Sequence, residues 1–389
     1  LRRIRVLHII TNLPIGGAQD NTLSTLERLD TDCYELSLMC GPEGDWQDRA
    51  LRIKSLNMIF LKYIVRNIHP IKDIIATIRI YFYLRQGKYD IVHTHSSKPG
   101  FYGRIAARLA GTPFVIHTIH GFPFNNFMPW PVKWFFIVLE RYLSRLSDKM
   151  ITVSTLNLKR AIGLRLAPRN RFTNIYSGID FTKFTQKVNT GKKRRDLQIS
   201  RDVKVIGLVG RLTHCKGIDY FFRSAGIISS RRDDVLFLIV GDGELRQKCE
   251  KWARDAGVDK QTRFLGFRDD IPELLKILDV YVLSSRWEGL GRSLTEALFC
   301  SRPTVATSVE GVPELVRNGK TGILVPPADP VALAEGILYL IDHPREGKRM
   351  GRKAHEMVKK NFCVDAMADR IHQLYQDLLT QELLSKTKT

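Results

Sequence analysis

Short apolar runs alternate with longer segments of helical period along nearly the whole chain, and they do so in two separate series. In the first series IRVLHII (4–10), YELSLMC (34–40), MIFLKY (58–63), DIVHTH (90–95), FVIHTIH (114–120) and KMITVS (149–154) have strand length. DNTLSTLERL, PIKDIIATIRIYFYLR and GFYGRIAARLAG lie between them and read as helices. The second series begins after residue 200: KVIGLVG, VLFLIVG, TRFLG, DVYVLSS, TVAT and GILV are its strands, with GIDYFFRSAGIIS and SLTEALFC among its helices. Strand, helix, strand in succession is a parallel crossover, so the pattern predicts two α/β halves, each a parallel sheet covered by helices. The length of 389 residues agrees, because a single hydrophobic core stops growing beyond about 300 residues.

The expected boundaries are residues 1–176 for the first domain, 177–363 for the second, and 364–389 for a final helix with a frayed tail, LLSKTKT. NIYSGIDFTKF and QKVNTGKKRRDLQIS read as connecting segments. Their basic cluster, residues 192–195, has no interleaved aromatics of the kind that RNA-binding tracts carry, and reads as a solvated loop. VDAMADRIHQLYQDLL (364–379) has apolar residues at helical spacing and needs a surface, which is expected on the first domain.

A formal net charge of +21 implies attraction to something acidic: a phosphorylated substrate, an anionic membrane surface or nucleic acid. From Arg49 to Ser147 fifteen Lys and Arg face only Asp73, Asp90 and Glu140, which makes the first half the expected contact surface; a soluble face of biased composition is the alternative. The six cysteines form no C-x-x-C pair, the usage of a cytoplasmic protein with reduced thiols. No apolar run approaches the ~18 residues needed to span a bilayer. The segment after His120 holds Phe124, Phe127, Met128, Trp130, Trp134 and Phe135 next to Lys133, Arg141 and Arg145. It fits either an interfacial patch against anionic lipid, making the protein peripheral on a membrane, or a buried helix with its rings in the core.

Glycine turns that end a strand and open a helix aim backbone N–H groups outward at the positive end of the helix dipole, where phosphate binds. Gly16 and Gly17 follow the first strand, Arg211 and Lys216 flank the turn after KVIGLVG, and Leu290 and Gly291 stand before SLTEAL. Two fixed cations and a helix start would neutralise a diphosphate without a metal. Glu288 and Glu296 stand eight positions apart around that last turn. Carboxylates accept hydrogen bonds from hydroxyls, so acids flanking a phosphate turn suit a ligand with polyols at both ends of a diphosphate: a nucleotide sugar.

Those motifs resemble the family-4 retaining glycosyltransferases of the GT-B fold, in which two Rossmann-like domains face a central cleft and a C-terminal helix crosses back to the first. The family's E-x7-E motif is matched by Glu288 to Glu296, its G-R-L…K-G motif by Gly210, Arg211, Lys216 and Gly217, and its first-domain glycine loop by Gly16 and Gly17. GDGEL (241–245), FLGF (264–267) and GVPELVRNGKTGILVPPAD (311–329) are further matches. The resemblance implies that Arg211, Lys216, Leu290, Gly291, Gly16 and Gly17 bind the donor diphosphate. It places Glu296, Gly266 and Phe267 around the nucleoside, and makes His120 and Glu288 the catalytic pair at the transferred sugar, with His117 structural. Two departures stand out: Gln19 replaces an acidic residue that often follows the first-loop G-G-A, and YSGID (176–180) replaces P-N-G-I-D at the hinge.

The resemblance further implies metal-independent transfer of a hexose, with retention, from a nucleotide sugar, UDP being expected over GDP. The acceptor is then a hydroxyl of a polyprenyl-linked saccharide in bacterial capsule, exopolysaccharide or O-antigen assembly, since HTHSSKPGFYGRIAARLAGTPFVIHTIHGFPF resembles those members. No cofactor beyond the co-substrate is expected. His93 and His95 share a strand face, but strand-end histidines at a polar cleft account for them without zinc. The rival readings are a nucleotide-sugar epimerase of the same fold, which would release an isomerised free sugar, an inactive scaffold subunit, which the intact acidic and basic positions oppose, and a basic nucleic-acid-binding protein, which the missing RNA-binding motifs oppose.

Overall fold

The computed structural model describes residues 2–124 and 128–386. Phe127 of the aromatic segment and Thr387–Thr389 of the tail lie outside them. Among the described residues, backbone contacts divide the chain into two compact units, residues 1–178 with 364–389, and residues 179–363.

The first unit is a parallel sheet in the order β3-β2-β1-β4-β5-β6-β7, with β1 Ile4–Ile9, β2 Tyr34–Cys40, β3 Leu56–Phe60, β4 Ile91–His95, β5 Phe114–Ile119, β6 Lys149–Thr152 and β7 Phe172–Asn174. Alternate residues of a strand face opposite ways, so β1 sorts its side chains onto two layers. Leu7 and Ile9 pack under the helices Pro70–Gly87 and Ser97–Ala110 with Ala76, Ile80, Tyr102 and Ala106. Val6 packs on the other layer with Leu23 and Leu26 of the helix Gly17–Leu26. Met367, Ile371, Leu374, Tyr375 and Leu378 of the last helix, Val364–Lys386, belong to that same layer. Each such burial contributes about 1.5–3 kcal/mol, which makes this helix part of the first unit's core.

The second unit has the order β10-β9-β8-β11-β12-β13, with β8 Lys204–Val209, β9 Val235–Val240, β10 Thr262–Gly266, β11 Val280–Leu283, β12 Thr304–Thr307 and β13 Ile323–Val325, again parallel throughout. Every residue of β9 is buried, as the unbroken run VLFLIV requires of a strand covered on both faces.

Several sequence expectations are corrected. β3 starts at Leu56 rather than Met58 and ends at Phe60, where the Leu61 N–H turns to the Cys40 carbonyl at 2.9 Å. β7, three residues at the sheet edge, carries no periodicity and was not expected. The basic cluster is a helix, Thr190–Asp196, rather than a loop. Asn189 caps it at 2.9 Å, Lys193 is held between Asp270 and Glu273, and Arg194 donates to the Ser200 carbonyl. The aromatic segment divides: Phe124 is buried, whereas Trp130, Trp134 and Phe135 of the helix Trp130–Ser144 are exposed. All six cysteines are free thiols. Among the described residues no helix is long and apolar enough to cross a membrane.

Candidate active site

In the second unit β9 and β11 lie on opposite sides of β8, so the strand order reverses between β8 and β11. The loops after two such strands diverge, and ligands of open α/β sheets bind in the crevice this leaves. Here the loop after β8 carries Arg211 and Lys216, and the loop after β11 carries Glu288, Leu290 and Gly291. The two loops are tied together: the Arg286 N–H donates to the Cys215 carbonyl at 2.7 Å, and the Ser284 hydroxyl donates to the Lys216 carbonyl at 2.8 Å. Gly217 makes the close approach possible. Its φ is +57°, and a Cβ there would lie 2.2 Å from the Ser284 carbonyl oxygen.

Lys216 and Glu288, assigned from sequence to different parts of a ligand, form an ion pair at 2.5 Å. Burial opposes the ammonium's charge, but the Glu288 carboxylate and its hydrogen bond more than offset that and hold the Lys216 pKa above its ordinary value. The Ser285 hydroxyl donates to the same carboxylate oxygen, Oε2, at 3.2 Å. Oε1 has no partner among the described residues and stays free to accept a hydroxyl. The Glu288 N–H is taken by the Glu310 carboxylate at 3.2 Å. Gly291, at φ +88°, opens the helix Arg292–Phe299, and among the described residues no hydrogen bond uses the N–H of Leu290 or Gly291. Orphan donors at a helix start are what an anion seeks.

Glu296 lies in that helix, nearly buried, with Oε1 accepting from the Arg292 Nε at 2.9 Å. Burial raises its pKa, against the Arg292 charge and hydrogen bond. Arg211 is exposed, and among the described residues its guanidinium has no hydrogen bond or ion pair. Gly241, at φ +130°, packs on the Gly210 carbonyl, and its N–H donates to Gly266 at 2.8 Å. The ends of β8, β9 and β10 are thereby drawn together. Gly266, at φ +65°, has open space where a Cβ would be, and Phe267 beside it is 57% exposed. A bare glycine next to an unburied ring is a surface for a flat group.

Gly16, Gly17 and His120 lie in the first unit, at the carboxyl ends of β1 and β5. Gly16 precedes the helix Gly17–Leu26, and a Cβ on Gly17 would meet nothing, which leaves this helix start open. Gln19, in place of the family's acid, donates to the Asn12 carbonyl at 3.3 Å. His120 is half-buried, and burial lowers its pKa from 6.5 to about 4, so it is neutral near pH 7. Its Nε2 is 3.1 Å from His95 Nδ1. His117 faces the opposite layer, hydrogen-bonded to Thr94 at 2.9 Å, in a structural position. Among the described residues the nitrogens of His8, His93 and His95 come within 4.8 Å of one another, as metal ligands would. All six of their ring nitrogens already have a protein partner.

The structure thus brings Lys216, Glu288, Leu290 and Gly291 together, with Arg211 on the same loop as Lys216 and Glu296 in the helix that Gly291 opens, and puts Gly266 and Phe267 at the end of β10, two strands from β8. Sequence reasoning missed Ser285, Glu310, His8 and Tyr375. Glu310 was within reach, since it immediately precedes the matched GVPEL; the others depend on register and side-chain packing.

Residues 15–183 match the model of glycosyltransferase family 4, and residues 189–357 match that of glycosyl transferases group 1. A UDP-Gal:alpha-D-GlcNAc-diphosphoundecaprenol alpha-1,3-galactosyltransferase of Escherichia coli is 32% identical over 387 residues, covering 98% of both chains. A putative glycosyltransferase, EpsD of Bacillus subtilis, is 29% identical over 76% of this chain and 79% of its own. Among solved structures, Anabaena Alr3699/HepE in complex with UDP and glucose superposes with a TM-score of 0.82 at 19% identity, over 96% of this chain and 100% of the other. The fold is GT-B. The chain belongs to glycosyltransferase family 4, enzymes that act on a nucleotide-sugar donor.

Proposed function

We propose that this chain moves a hexose, with retention at the anomeric carbon and without a metal, from a UDP-sugar to a hydroxyl of a polyprenyl-diphosphate-linked saccharide used for bacterial surface polysaccharide. The observation that carries the reading is the reversal point of the second sheet. Two cations and two uncommitted amides stand there between two carboxylates, each with an oxygen left for a hydroxyl. The lipid-linked acceptor and UDP donor named for the Escherichia coli relative support the same substrate class.

Breaking the glycosyl–phosphate bond places negative charge on the leaving diphosphate and positive charge on the sugar ring. Lys216, Arg211 and the amides of Leu290 and Gly291 are aimed at the first, each preorganised donor being worth ~3–4 kcal/mol of barrier. Gly16 and Gly17 leave room for the diphosphate at the first unit's helix start, and Glu288 Oε1 takes a sugar hydroxyl. Glu296 takes the ribose, with the base against Gly266 and Phe267. His120 contacts the transferred sugar. A leaving phosphate oxygen that accepts the acceptor's proton on the same face gives retention without a covalent intermediate; a trapped glycosyl ester on Glu288 would refute this.

Membrane association has its own support. Trp130, Trp134, Phe135 and Tyr142 are exposed along one helix, and Ile71, Ile74, Ile78 and Phe82 along another, with Arg79, Arg85 and Arg145 exposed beside them. Aromatic and aliphatic side chains flanked by arginines are the chemistry of an anionic lipid surface. The test is threefold. UDP-sugars should raise the unfolding temperature where GDP-sugars do not, and transfer to a diphospholipid-linked sugar should persist in chelator. Binding to phosphatidylglycerol vesicles should fall in Trp130→Ala/Trp134→Ala. Transfer that stops in chelator and returns with magnesium or manganese rules out the metal-free chemistry.

A further inference from the structure

His8, His93, His95 and Thr118 sit on one face of the first unit's sheet, because His8 pairs in register with His93, and His95 with Thr118. The last helix brings Tyr375 down onto that face. Its hydroxyl lies 2.7 Å from His93 Nδ1 and 3.2 Å from His8 Nε2. His8 Nδ1 is 2.9 Å from His95 Nε2, and His95 Nδ1 is 3.1 Å from His120 Nε2. At the far end His93 Nε2 is 2.7 Å from the Thr118 hydroxyl. One unbroken chain of hydrogen bonds therefore runs from Thr118 to His120, and all its members except His120 are buried.

A neutral imidazole donates from one nitrogen and accepts at the other, while a hydroxyl has one proton to give. Burial holds the pKa values of His8, His93, His95 and His120 far enough down that all are neutral near pH 7. The Tyr375 proton must go to one of its two imidazole neighbours, since among the described residues it has no other partner. Every donor in the chain then points the same way, and only two arrangements exist. If Thr118 accepts from His93, its own buried O–H is left without an acceptor among the described residues. If Thr118 donates, every O–H and every inner N–H is used, and an orphaned buried donor is avoided.

We infer that Thr118 and Tyr375 are positioning residues that fix the tautomer of His120, so that His120 presents a protonated Nδ1 to the ligand. Thr118 donates to His93 Nε2, His93 Nδ1–H to Tyr375, Tyr375 to His8 Nε2, His8 Nδ1–H to His95 Nε2, and His95 Nδ1–H to His120 Nε2. His120 Nε2 is filled as an acceptor. Its remaining nitrogen, on a half-buried side chain with no other partner among the described residues, is a hydrogen-bond donor and not a base. It suits a hydroxyl or phosphate oxygen. What this N–H is for rests on the donor-sugar role proposed for His120; the polarity of the chain does not.

Heteronuclear NMR of the ligand-free protein, labelled at the histidine ring nitrogens, reads the tautomers directly. His8, His93, His95 and His120 are expected with the proton on Nδ1. Thr118→Val leaves His93 Nε2 without a partner in either direction, where the wild type has an orphan in one direction only. The preference narrows, an Nε2-protonated form of His120 should appear beside the first, and Thr118→Ser should lose that form again. A wild-type His120 protonated on Nε2 overturns the inference, and so does a Thr118→Val spectrum identical to wild type. No substrate is present, so failure of the proposed transfer reaction would leave these spectra, and the conclusion from them, unaffected.

Discussion

Replacing Lys216 by alanine tests the site where its two roles meet. The ammonium is 2.5 Å from Glu288 in the ligand-free chain, so it is held in place before any diphosphate arrives. A unit charge about 4 Å from a phosphate oxygen, at an effective dielectric near 20, is worth ~4 kcal/mol. Removing one preorganised donor to a developing charge costs ~3–4 kcal/mol. Both routes predict that kcat falls about 10²–10³-fold. Stability suffers less, by about 1–3 kcal/mol, because the partly exposed Glu288 loses its partner and keeps Ser285. Adding Glu288→Gln separates the two effects: it removes the unpaired charge and should restore the unfolding midpoint without restoring transfer. Steady-state assay with a UDP-sugar and a diphospholipid-linked acceptor, beside urea unfolding, gives both numbers. A folded Lys216→Ala enzyme within about tenfold of wild type, less than ~1.4 kcal/mol of barrier, would refute the electrostatic account.

Acidification should destabilise the first unit. His8, His93, His95, His117 and His120 all have pKa values lowered by burial, so between about pH 6.5 and 4 the unfolded chain binds more protons than the folded one. Stability is then present above 6.5 and is lost as pH falls, each group adding a slope of up to ~1.4 kcal/mol per pH unit; a urea midpoint flat from about pH 7 to 5 would contradict this. Glu140→Ala strands Arg104, a fully buried guanidinium that the carboxylate grips at 2.8 and 3.0 Å, and should cost ~3–5 kcal/mol in urea unfolding. Arg104→Met/Glu140→Leu should recover most of that loss. Gly217→Ala should lower both stability, by about 1–3 kcal/mol, and transfer, since the left-handed turn cannot close on Ser284 with a Cβ present.

Periodicity alone made the two parallel sheets legible, because strands buried on both faces must be apolar throughout and crossover helices must be amphipathic. β7 escaped, having three residues and one covered neighbour. The basic helix Thr190–Asp196 also escaped. KKRR has no apolar stripe, and its order comes from Asp270 and Glu273, more than seventy positions on. The glycine turns after β8 and β11 were readable from glycine and cation spacing, but the pairing of Lys216 with Glu288 was not, since two loops supply it and β8 and β11 are not consecutive in the chain. The histidine chain shows the same limit: same-face parity on β4 is visible in HTH, whereas the bond from His93 to Tyr375 spans 282 positions and depends on where the last helix lands.

That last helix also sets an order of assembly. Residues 179–363 are continuous, so the second unit can close as soon as it leaves the ribosome, whereas the first must wait for its final layer until Tyr375 and its neighbours have been synthesised. Until then that side of the opening sheet, with three histidines on it, has the helix Gly17–Leu26 but lacks the helix that carries Tyr375. Premature termination ahead of Val364 should therefore spoil the half of the molecule made first.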